Sequence, residues 1–329
     1  MTVLGAGGWG TALAVHLARV GHEARLWARD PALVHAMRVH RANVSYLPEV
    51  PFPDALHVYD DLQEALDGVE LVIAAAPTHG TRALIRRAVP FLQPGVRVVS
   101  ATKGIEQGSL DRVSQILEQE LDGRAQVAVL SGPSFALELA RQLPTAVSVA
   151  SRHESLVEYV QEELRAPYFR LYGTDDVVGV ELGGALKNVI AIAAGLAEGL
   201  GLGHNALAGL MTRGLAEISR LACAAGGRRE TLAGLSGLGD LILTCTGGPS
   251  RNRRLGVELA RGRSLEQVLG STRTVAEGVR TTEAALALAS RYGVELPIAS
   301  QVADLITGRK DARTALNELM LRPQKAEVA

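Results

Sequence analysis

Residues 5–10 read Gly5-Ala6-Gly7-Gly8-Trp9-Gly10, a G-x-G-x-x-G pattern between a short apolar run, Val3-Leu4, and a helical window, Thr11 to Val20. In this context Gly5 permits a tight turn, Gly7 lets a pyrophosphate approach the backbone, and Gly10 lets the helix pack closely on the strand. Free N–H groups at the start of the helix favour the same anion. The stretch therefore predicts a dinucleotide-binding unit at the start of the chain rather than a flexible glycine turn.

Residues 2 to about 172 alternate short β-like runs with amphipathic helical windows. The candidate strands are Val3-Leu4, Glu23 to Trp27, Leu71 to Ala75, Val96 to Ser100, Val127 to Ser131, Ala146 to Ala150 and Tyr168 to Tyr172. Candidate helices between them are Thr11 to Val20, Thr81 to Val89, Ser109 to Leu121 and Glu154 to Leu164. This alternation predicts a doubly wound parallel sheet covered by helices, a Rossmann-like domain.

The second half of the chain differs in composition and in the spacing of its apolar residues. Long windows rich in Ala, Leu and Gly have helical spacing, at Val177 to Leu200, Ala206 to Ala225 and Thr281 to Tyr292. A chain of 329 residues also exceeds what one compact core usually holds. We therefore predict an α/β protein with a dinucleotide-binding domain at residues 1–174 and an all-helical substrate domain at residues 175–329. The glycines at 195, 199, 201 and 203 indicate close helix packing in preference to a helix end.

The composition narrows the class of protein. There are 34 Lys and Arg residues against 35 Asp and Glu, so no overall field recruits nucleic acid or an anionic membrane. The two cysteines, Cys223 and Cys245, lack metal-ligand spacing, and we expect buried reduced thiols and no metal. We see neither a signal peptide nor about 18 consecutive apolar residues for a membrane span. These features predict a cytoplasmic enzyme.

The end of the second strand bears on the choice of cofactor. Arg29 stands where a guanidinium could meet a 2′-phosphate, which predicts that NADPH is accepted. Arg29 could instead be solvated beside a helix-capping Asp30, and Asp30 could itself reach the ribose. The sequence leaves NADH and NADPH both open.

A lysine in an apolar helix is the candidate catalytic group. The segment from Val180 to Ala191 consists mainly of small and apolar residues around Lys187 and Asn188. Desolvation and nearby positive charge would lower the pKa of Lys187, which suits a general acid near neutral pH. Taken alone, this lysine could also extend to the surface.

Polar residues at three other places could complete a site. Lys103 lies just beyond the strand Val96 to Ser100, at the carboxyl edge where open α/β sheets bind ligands. The segment Ser131 to Ala136 follows another strand and opens a helix. The segment Ser250 to Arg254 offers a hydroxyl, an amide and three guanidinium groups, a set suited to a phosphate monoester. Because no aromatic residues are interleaved, nucleic acid is a poor alternative.

Six stretches, in order along nearly the whole chain, closely resemble the bacterial NAD(P)-dependent glycerol-3-phosphate dehydrogenase family. They are Gly5 to Ala14, Thr102 to Ile105, Ser131 to Ala136, Glu181 to Val189, Gly237 to Leu241, and Ser250 to Arg253. In this chain Gly8 replaces a serine that is frequent in the family motif. The resemblance implies a helical second domain, a homodimer, and a product that supplies the backbone of phospholipids.

The resemblance also implies roles for individual residues. Lys187 would be the catalytic proton donor or acceptor. Substrate contacts would be Lys103, Gly132, Ser134, Asp240, Ser250, Arg251 and Asn252. The NADPH or NADH site would be lined by Gly8, Trp9, Arg29, Lys103, Ala136, Arg251, Val275 and Glu277, beside the turn glycines Gly5, Gly7 and Gly10.

The mechanism so implied is hydride transfer to C2 of dihydroxyacetone phosphate, with Lys187 protonating the oxygen. We expect Lys103 to polarise the carbonyl and Asp240 to hold Lys187 or a substrate hydroxyl. Two alternatives stay open at this point. One is another two-domain dehydrogenase acting on 3-hydroxyacids or 6-phosphogluconate. The other is a dinucleotide-binding sensor without catalytic activity.

Overall fold

A computed structural model describes residues 1–270, 277–324 and 326 of the chain. Its strands are β1 (Thr2–Leu4), β2 (Ala24–Trp27), β3 (Ala42–Asn43), β4 (Leu47–Pro51), β5 (Leu56–Tyr59), β6 (Leu71–Ala74), β7 (Arg97–Ser100), β8 (Gln126–Ser131), β9 (Thr145–Ala150) and β10 (Phe169–Thr174). Eight of them form one sheet in the order β10-β9-β8-β7-β6-β1-β2-β5. β1 therefore lies between β2 and β6, at the point where the strand order changes direction.

Helices cover both faces of this sheet. They are α1 (Gly8–Arg19), α2 (Pro31–His40), α3 (Leu62–Leu66), α4 (Thr78–Ala88), α5 (Val113–Leu121), α6 (Ala136–Ala140) and α7 (Glu154–Glu163). The central strands are apolar on both sides, and every residue of β6 is buried. Such continuous burial is typical of a sheet packed between two layers of helices. The predicted α/β class and Rossmann-like domain are confirmed.

The sheet departs from the predicted parallel arrangement at one junction. β8 and β9 run antiparallel, with Leu130 opposite Val149. Parallel neighbours need a crossover long enough to carry the chain back along the sheet, usually a full helix. The connection from β8 to β9 contains only α6, a helix of five residues, which packs against α1. The chain therefore enters β9 from the end of the sheet at which β8 stops.

Three short strands were not predicted from the sequence. β5 is an edge strand paired with β2, and β3 and β4 form a separate antiparallel pair. Prolines at positions 48, 51 and 53 interrupt the apolar pattern in this region. The buried side chain of Asn43 holds the pair against the glycine turn, because its amide donates to the Ala6 carbonyl (2.9 Å) and to Thr11 Oγ1 (2.8 Å).

The described residues after β10 are helical, as predicted. The helices are α8 (Val177–Gly199), α9 (Gly203–Ala224), α10 (Arg229–Ala233), α11 (Asp240–Thr246), α12 (Arg251–Ala260), α13 (Leu265–Gly270), α14 (Glu277–Tyr292), α15 (Pro297–Ile306) and α16 (Ala312–Met320). One π-helical turn, Leu235–Gly239, precedes α11. α8 is the central helix and packs against α9, α11, α12, α14 and α15. It is long and apolar enough to cross a bilayer, but 94% of its most apolar window is buried inside the protein.

The glycines near the end of α8 divide into two groups. A Cβ on Gly195 would stand 1.9 Å from the Arg253 carbonyl oxygen, and one on Gly199 would stand 2.6 Å from Ala260 Cβ, so both permit close contact with α12. Gly201 and Gly203 instead have φ of +70° and +79° and reverse the chain between α8 and α9. The preference for close packing is therefore confirmed for the first two and wrong for the others.

The expectation of two buried thiols holds for Cys245 alone. Cys223 is exposed because α9 buries one face only, and Leu221 and Ala222 occupy that face near its end.

A buried carboxylate joins α8 to the sheet domain. Glu181 accepts hydrogen bonds from the Ser114 backbone N–H (2.7 Å) and the Ser114 hydroxyl (2.6 Å), and it forms an ion pair with Arg112. These partners lie at the start of α5. Since a buried carboxylate needs such partners to offset desolvation, the contact fixes how α8 lies against the sheet.

Candidate functional site

The glycine turn lies between β1 and α1. Gly5 has φ of +120°, and a Cβ there would stand 2.8 Å from the Ala75 carbonyl group. A Cβ on Gly10 would stand 1.9 Å from the Gly5 carbonyl oxygen. Both positions therefore require glycine for the fold itself, Gly5 for its backbone conformation and Gly10 for close contact.

Gly7 behaves differently. It caps the N-terminus of α1 without a side-chain hydrogen bond, and a Cβ built on it would meet no atom within 4 Å. Beside it, the indole Nε1–H of Trp9 is buried without a partner in the part of the chain that the structure describes. Exposed helix N–H groups, an open space at Gly7 and an unpaired donor fit an anionic dinucleotide.

This contrast gives a prediction for Gly7→Ala. The melting temperature should stay close to that of the wild type, because the new methyl group meets nothing in the protein. Affinity for the reduced cofactor should fall by about tenfold or more, because the methyl group enters the space where the pyrophosphate approaches. Calorimetry and cofactor titration measure the two quantities. Equal losses of stability and affinity would contradict this role, and Gly10→Ala supplies the comparison in which stability must fall.

Gly8 lies close to two other segments, the one that carries Tyr46 and the start of α6. A Cβ on Gly8 would lie 3.2 Å from the Tyr46 carbonyl oxygen and 3.6 Å from Ala136 Cβ. The hairpin that carries Tyr46 thus borders the glycine turn on one side and the start of α6 borders it on the other. Arg29 is exposed just after β2, while Asp30 accepts the Ala32 N–H (3.0 Å) and caps α2.

Lys103 lies in the loop after β7. Its Nζ donates to the Gly132 carbonyl (2.9 Å), to Ser134 Oγ (3.2 Å) and to Asp240 Oδ2 (2.8 Å). Gly132 and Ser134 follow β8, and Asp240 opens α11 in the helical domain. The ammonium group therefore links the carboxyl edge of the sheet to the second domain.

Lys187 lies in the middle of α8, and only 8% of its side chain is exposed. Its Nζ donates to Asp240 Oδ1 (2.5 Å) and Thr244 Oγ1 (2.8 Å). Burial lowers the pKa of Lys187 to about 8, with Asp240 raising it and Lys103 lowering it. The alternative of a lysine extending into solvent is therefore excluded, and this amine can give up a proton near neutral pH.

The segment after Gly247 forms the first turn of α12. Ser250 caps this helix by accepting the Arg253 N–H (3.3 Å). Asn252 donates to Asn188 Oδ1 (2.9 Å) and accepts the Gly278 N–H (3.1 Å), so its amide also holds neighbouring protein groups. Within the described residues Arg251 is exposed and has no hydrogen-bond partner, which leaves its guanidinium free for an anion.

Glu277 begins α14 and lies at the junction of the two domains. Burial raises the pKa of Glu277, against the opposing positive charges of Arg251, Lys103 and Lys187. The charges of three predicted site residues therefore act on this carboxyl group. Val275, which was also expected to line the cofactor site, lies outside the described residues.

Two residues of this cluster were not assigned a role from the sequence. Thr244 contacts Lys187 and follows Asp240 by four residues, a spacing that places both on one face of α11. Asn188 follows Lys187 in the chain, and its Oδ1 accepts a hydrogen bond from the Asn252 amide. The helical i, i+4 spacing could have revealed Thr244. The partner of Asn188 could not be found without the packing of α12 on α8.

Together these features define a class of protein. A dinucleotide turn lies at the switch point of a Rossmann-like sheet, and Lys103, at the same carboxyl edge, shares Asp240 with a buried lysine of the helical domain. This combination is typical of two-domain NAD(P)-dependent dehydrogenases. No group of three or more His, Cys, Asp or Glu residues within the described ranges could hold a metal ion.

Comparison with known proteins gives the particular family. Residues 1–157 match the N-terminal model of NAD-dependent glycerol-3-phosphate dehydrogenase, and residues 176–317 match the C-terminal model. A relative from Koribacter versatilis, glycerol-3-phosphate dehydrogenase [NAD(P)+], is 49% identical over 100% of this chain and 98% of its own length. The chain belongs to the NAD-dependent glycerol-3-phosphate dehydrogenase family.

Solved structures agree with this assignment. The glycerol-3-phosphate dehydrogenase of Coxiella burnetii matches with a TM-score of 0.94 and 42% identity, covering 98% of both chains. The enzyme of Saccharomyces cerevisiae matches with a TM-score of 0.81 and 28% identity, covering 96% of this chain and 98% of its own. The protein is thus an NAD(P)-dependent oxidoreductase of this family, as its resemblance implied.

Proposed function

We propose that this enzyme reduces dihydroxyacetone phosphate to sn-glycerol 3-phosphate, the precursor of glycerophospholipids, with Lys187 as the proton donor. One observation carries the proposal: the carboxylate of Asp240 binds the ammonium groups of Lys187 and Lys103, one on each oxygen, at 2.5 and 2.8 Å. A buried amine held in this way, at the edge of the sheet that carries the glycine turn, has the geometry that a carbonyl reduction needs.

The cofactor-binding part consists of the glycine turn and the residues around it. Gly5 and Gly10 shape the turn, and Gly7 leaves room beside the N–H groups of α1. We assign Trp9, Arg29, Ala136 and Glu277 to the cofactor, and Lys103 and Arg251 to both the cofactor and the substrate. The nicotinamide of NADPH or NADH, when bound, supplies the hydride.

The protein's contribution to the chemistry is to place charge and a proton. Reduction at C2 puts negative charge on the carbonyl oxygen, and Lys187 Nζ donates the proton that neutralises it. Lys103 polarises the same carbonyl and, through Gly132 and Ser134, keeps a fixed position. Asp240 keeps both ammonium groups near the reacting oxygen. In the oxidation direction, neutral Lys187 takes up the proton.

The phosphate group is assigned to the start of α12. Arg251 has a free guanidinium there, Ser250 a buried hydroxyl, and Asn252 an amide with a second N–H. The N-terminus of a ten-residue helix adds favourable dipoles for an anion. A phosphorylated ketone is thereby held at one end while its carbonyl lies at Lys187.

Initial rates with purified enzyme test the substrate. Dihydroxyacetone phosphate with NADPH or NADH should give turnover of at least about 1 s⁻¹. Unphosphorylated dihydroxyacetone should give a much lower kcat/KM because it lacks the group that Arg251 binds. Oxidation of 6-phosphogluconate or of 3-hydroxyacids at comparable kcat/KM to sn-glycerol 3-phosphate would overturn the assignment. Cofactor binding without turnover of any of them would favour the sensor alternative.

Three further features belong to this proposal. Residues 1–174 and 175–329 act as the two domains, since β10 ends at Thr174 and α8 begins at Val177. The enzyme works in the cytoplasm, where its reduced cofactor is available. It forms a homodimer, as the family resemblance implies, and light scattering of the purified chain would give its mass directly.

A further inference from the structure

The loop after β7 carries Lys103, and helix α4 borders this loop. α4 follows β6, and β6 and β7 are parallel neighbours in the sheet, so the segments after both strands lie side by side. Thr102 precedes the lysine, and its hydroxyl donates to the Ala76 carbonyl (2.7 Å), between β6 and α4. The residue before Lys103 is thereby fixed to the segment that leads into α4.

Thr78, the first residue of α4, packs on the residue after Lys103. A Cβ built on Gly104 would overlap Thr78 Oγ1 and stand 3.1 Å from Thr78 Cβ. Because the φ of Gly104 is not positive, the close contact and not the backbone conformation requires glycine here. The Thr78 hydroxyl is buried and has no hydrogen-bond partner in the ranges that the structure describes. Thr78 therefore contributes its shape to this contact.

One turn further along α4, Arg82 binds the same loop. Thr78 and Arg82 are four residues apart and so share one face of the helix. The Arg82 guanidinium forms a bidentate ion pair with Glu106, with Nε–Oε1 at 3.0 Å and Nη2–Oε2 at 2.6 Å. It also binds Asp111 (3.0 Å) and Glu120 (2.9 Å). A bidentate pair fixes direction as well as distance, and here it also keeps three carboxylates from repelling one another.

Helix α4 thus holds the loop both at Gly104 and at Glu106. The position of this loop matters because Asp240 binds the ammonium groups of Lys103 and Lys187 together. We propose that Thr78 and Arg82 are positioning residues, which keep the Lys103 ammonium group where it polarises the substrate carbonyl. The inference rests on the proposed function and extends it to a helix of the cofactor-binding domain.

Gly104→Ala tests the contact with Thr78. The added methyl group should displace the Lys103 loop, so kcat for reduction of dihydroxyacetone phosphate should fall about tenfold or more. Thr78→Ala in the same chain removes the overlapping oxygen and should restore most of the lost rate. Absence of any recovery in the double variant, with a melting temperature near that of the wild type, would overturn the positioning role.

Thr78→Val is the conservative variant. It keeps the shape of the side chain and removes only a hydroxyl group that makes no hydrogen bond in the described structure, so kcat should equal the wild-type value. A tenfold loss in Thr78→Val would mean that the hydroxyl group itself binds the substrate or the cofactor. That result would also overturn the proposal.

The pH profile separates positioning from a general loss of structure. Lys103 lowers the pKa of Lys187, so displacement of its ammonium group should let that pKa rise. The alkaline limb of kcat/KM for reduction should then move to higher pH in Gly104→Ala, by about 0.5 unit or more. A smaller folded fraction would lower the rate at every pH and leave the limb in place. The titratable groups whose charges act together with this amine are Lys103 on the loop, Asp240 and Cys245 on α11, and Glu277 at the start of α14.

Arg82→Gln tests the second contact. Without the guanidinium charge the loop loses its bidentate partner, so kcat should fall about threefold or more and the alkaline limb should again move to higher pH. Arg82→Lys keeps the charge and should recover part of the loss. The matched control is Arg86→Gln, one turn further along α4. Within the described part of the chain Arg86 binds Glu120 (2.8 Å) and not the loop, so this variant should keep the wild-type rate and profile.

The outcomes distinguish this inference from the proposed function. Normal turnover of dihydroxyacetone phosphate by the wild type, with an unmoved limb in both Gly104→Ala and Arg82→Gln, would overturn the positioning role alone. A wild-type enzyme that does not reduce dihydroxyacetone phosphate would overturn the proposed function and this inference with it.

Discussion

Replacing Lys187 with alanine should lower kcat for reduction of dihydroxyacetone phosphate by a factor of about 10²–10⁴, the usual contribution of a general acid. The reason for this expected loss lies in the surroundings of the Lys187 amine. Lys187 Nζ is the proposed proton donor; burial lowers its pKa to about 8, and Thr244 and Asp240 hold it in place. Cofactor affinity should change little, since the glycine turn does not depend on this amine. Stopped-flow measurement of a single turnover would separate the chemical step from binding.

Two controls make this result specific. Lys310→Ala removes a lysine of the same kind from a surface ion-pair cluster with Asp304 and Glu318, and it should leave kcat unchanged. Small primary amines added to Lys187→Ala should restore part of the rate, because the truncated side chain leaves room for them. Wild-type turnover by Lys187→Ala would remove the central step of the proposed mechanism.

We expect Lys187 also to determine how the rates of reduction and oxidation depend on pH. A general acid must be protonated, so kcat/KM for reduction should fall as the pH rises above about 8, the pKa of Lys187 in the free enzyme. Oxidation of glycerol 3-phosphate needs the neutral amine and should therefore rise through the same range. Both opposite trends can be measured from the rates of reduction and oxidation across this pH range, with the cofactor at a saturating concentration.

Much of the framework follows from local sequence patterns. β6 was predictable because its four residues are apolar and stand between helical windows. The glycine turn was predictable because its spacing, its strand and its helix occur together. α8 was predictable from its length and composition, although its burial on every side is a property of the packed domain. These elements are specified by residues close together in the chain.

Other features depend on contacts between distant segments. The antiparallel direction of β9 follows from a short connection that has no periodicity of its own. Lys103 and Asp240 stand 137 positions apart, and no local pattern shows that one carboxylate serves two lysines. The amide of Asn252 looked like a substrate ligand, yet it also binds Asn188 and Gly278. Such pairings exist only after α11 and α12 pack on α8.

The shared carboxylate makes Asp240→Asn the second change with a large expected effect. Asp240 is 1% exposed, and its two oxygens hold two ammonium groups. The substitution keeps the shape of the side chain and removes its charge, so buried Lys187 and partly buried Lys103 face each other without this counter-ion. Breaking a buried pair in this way typically lowers the free energy of unfolding by about 3–5 kcal/mol.

Asp240→Asn should also change the rate of the reduction and its pH dependence. Asp240 raises the pKa of Lys187, so its replacement by asparagine should move the alkaline limb of the reduction rate to lower pH and lower kcat at neutral pH. Asp304→Asn is the matched control, because Asp304 also pairs with two basic residues but near the surface. It should change neither the pH profile nor, to a comparable degree, the unfolding free energy. An unshifted limb in Asp240→Asn would mean that the carboxylate does not control the protonation of Lys187, which leaves it a purely structural role.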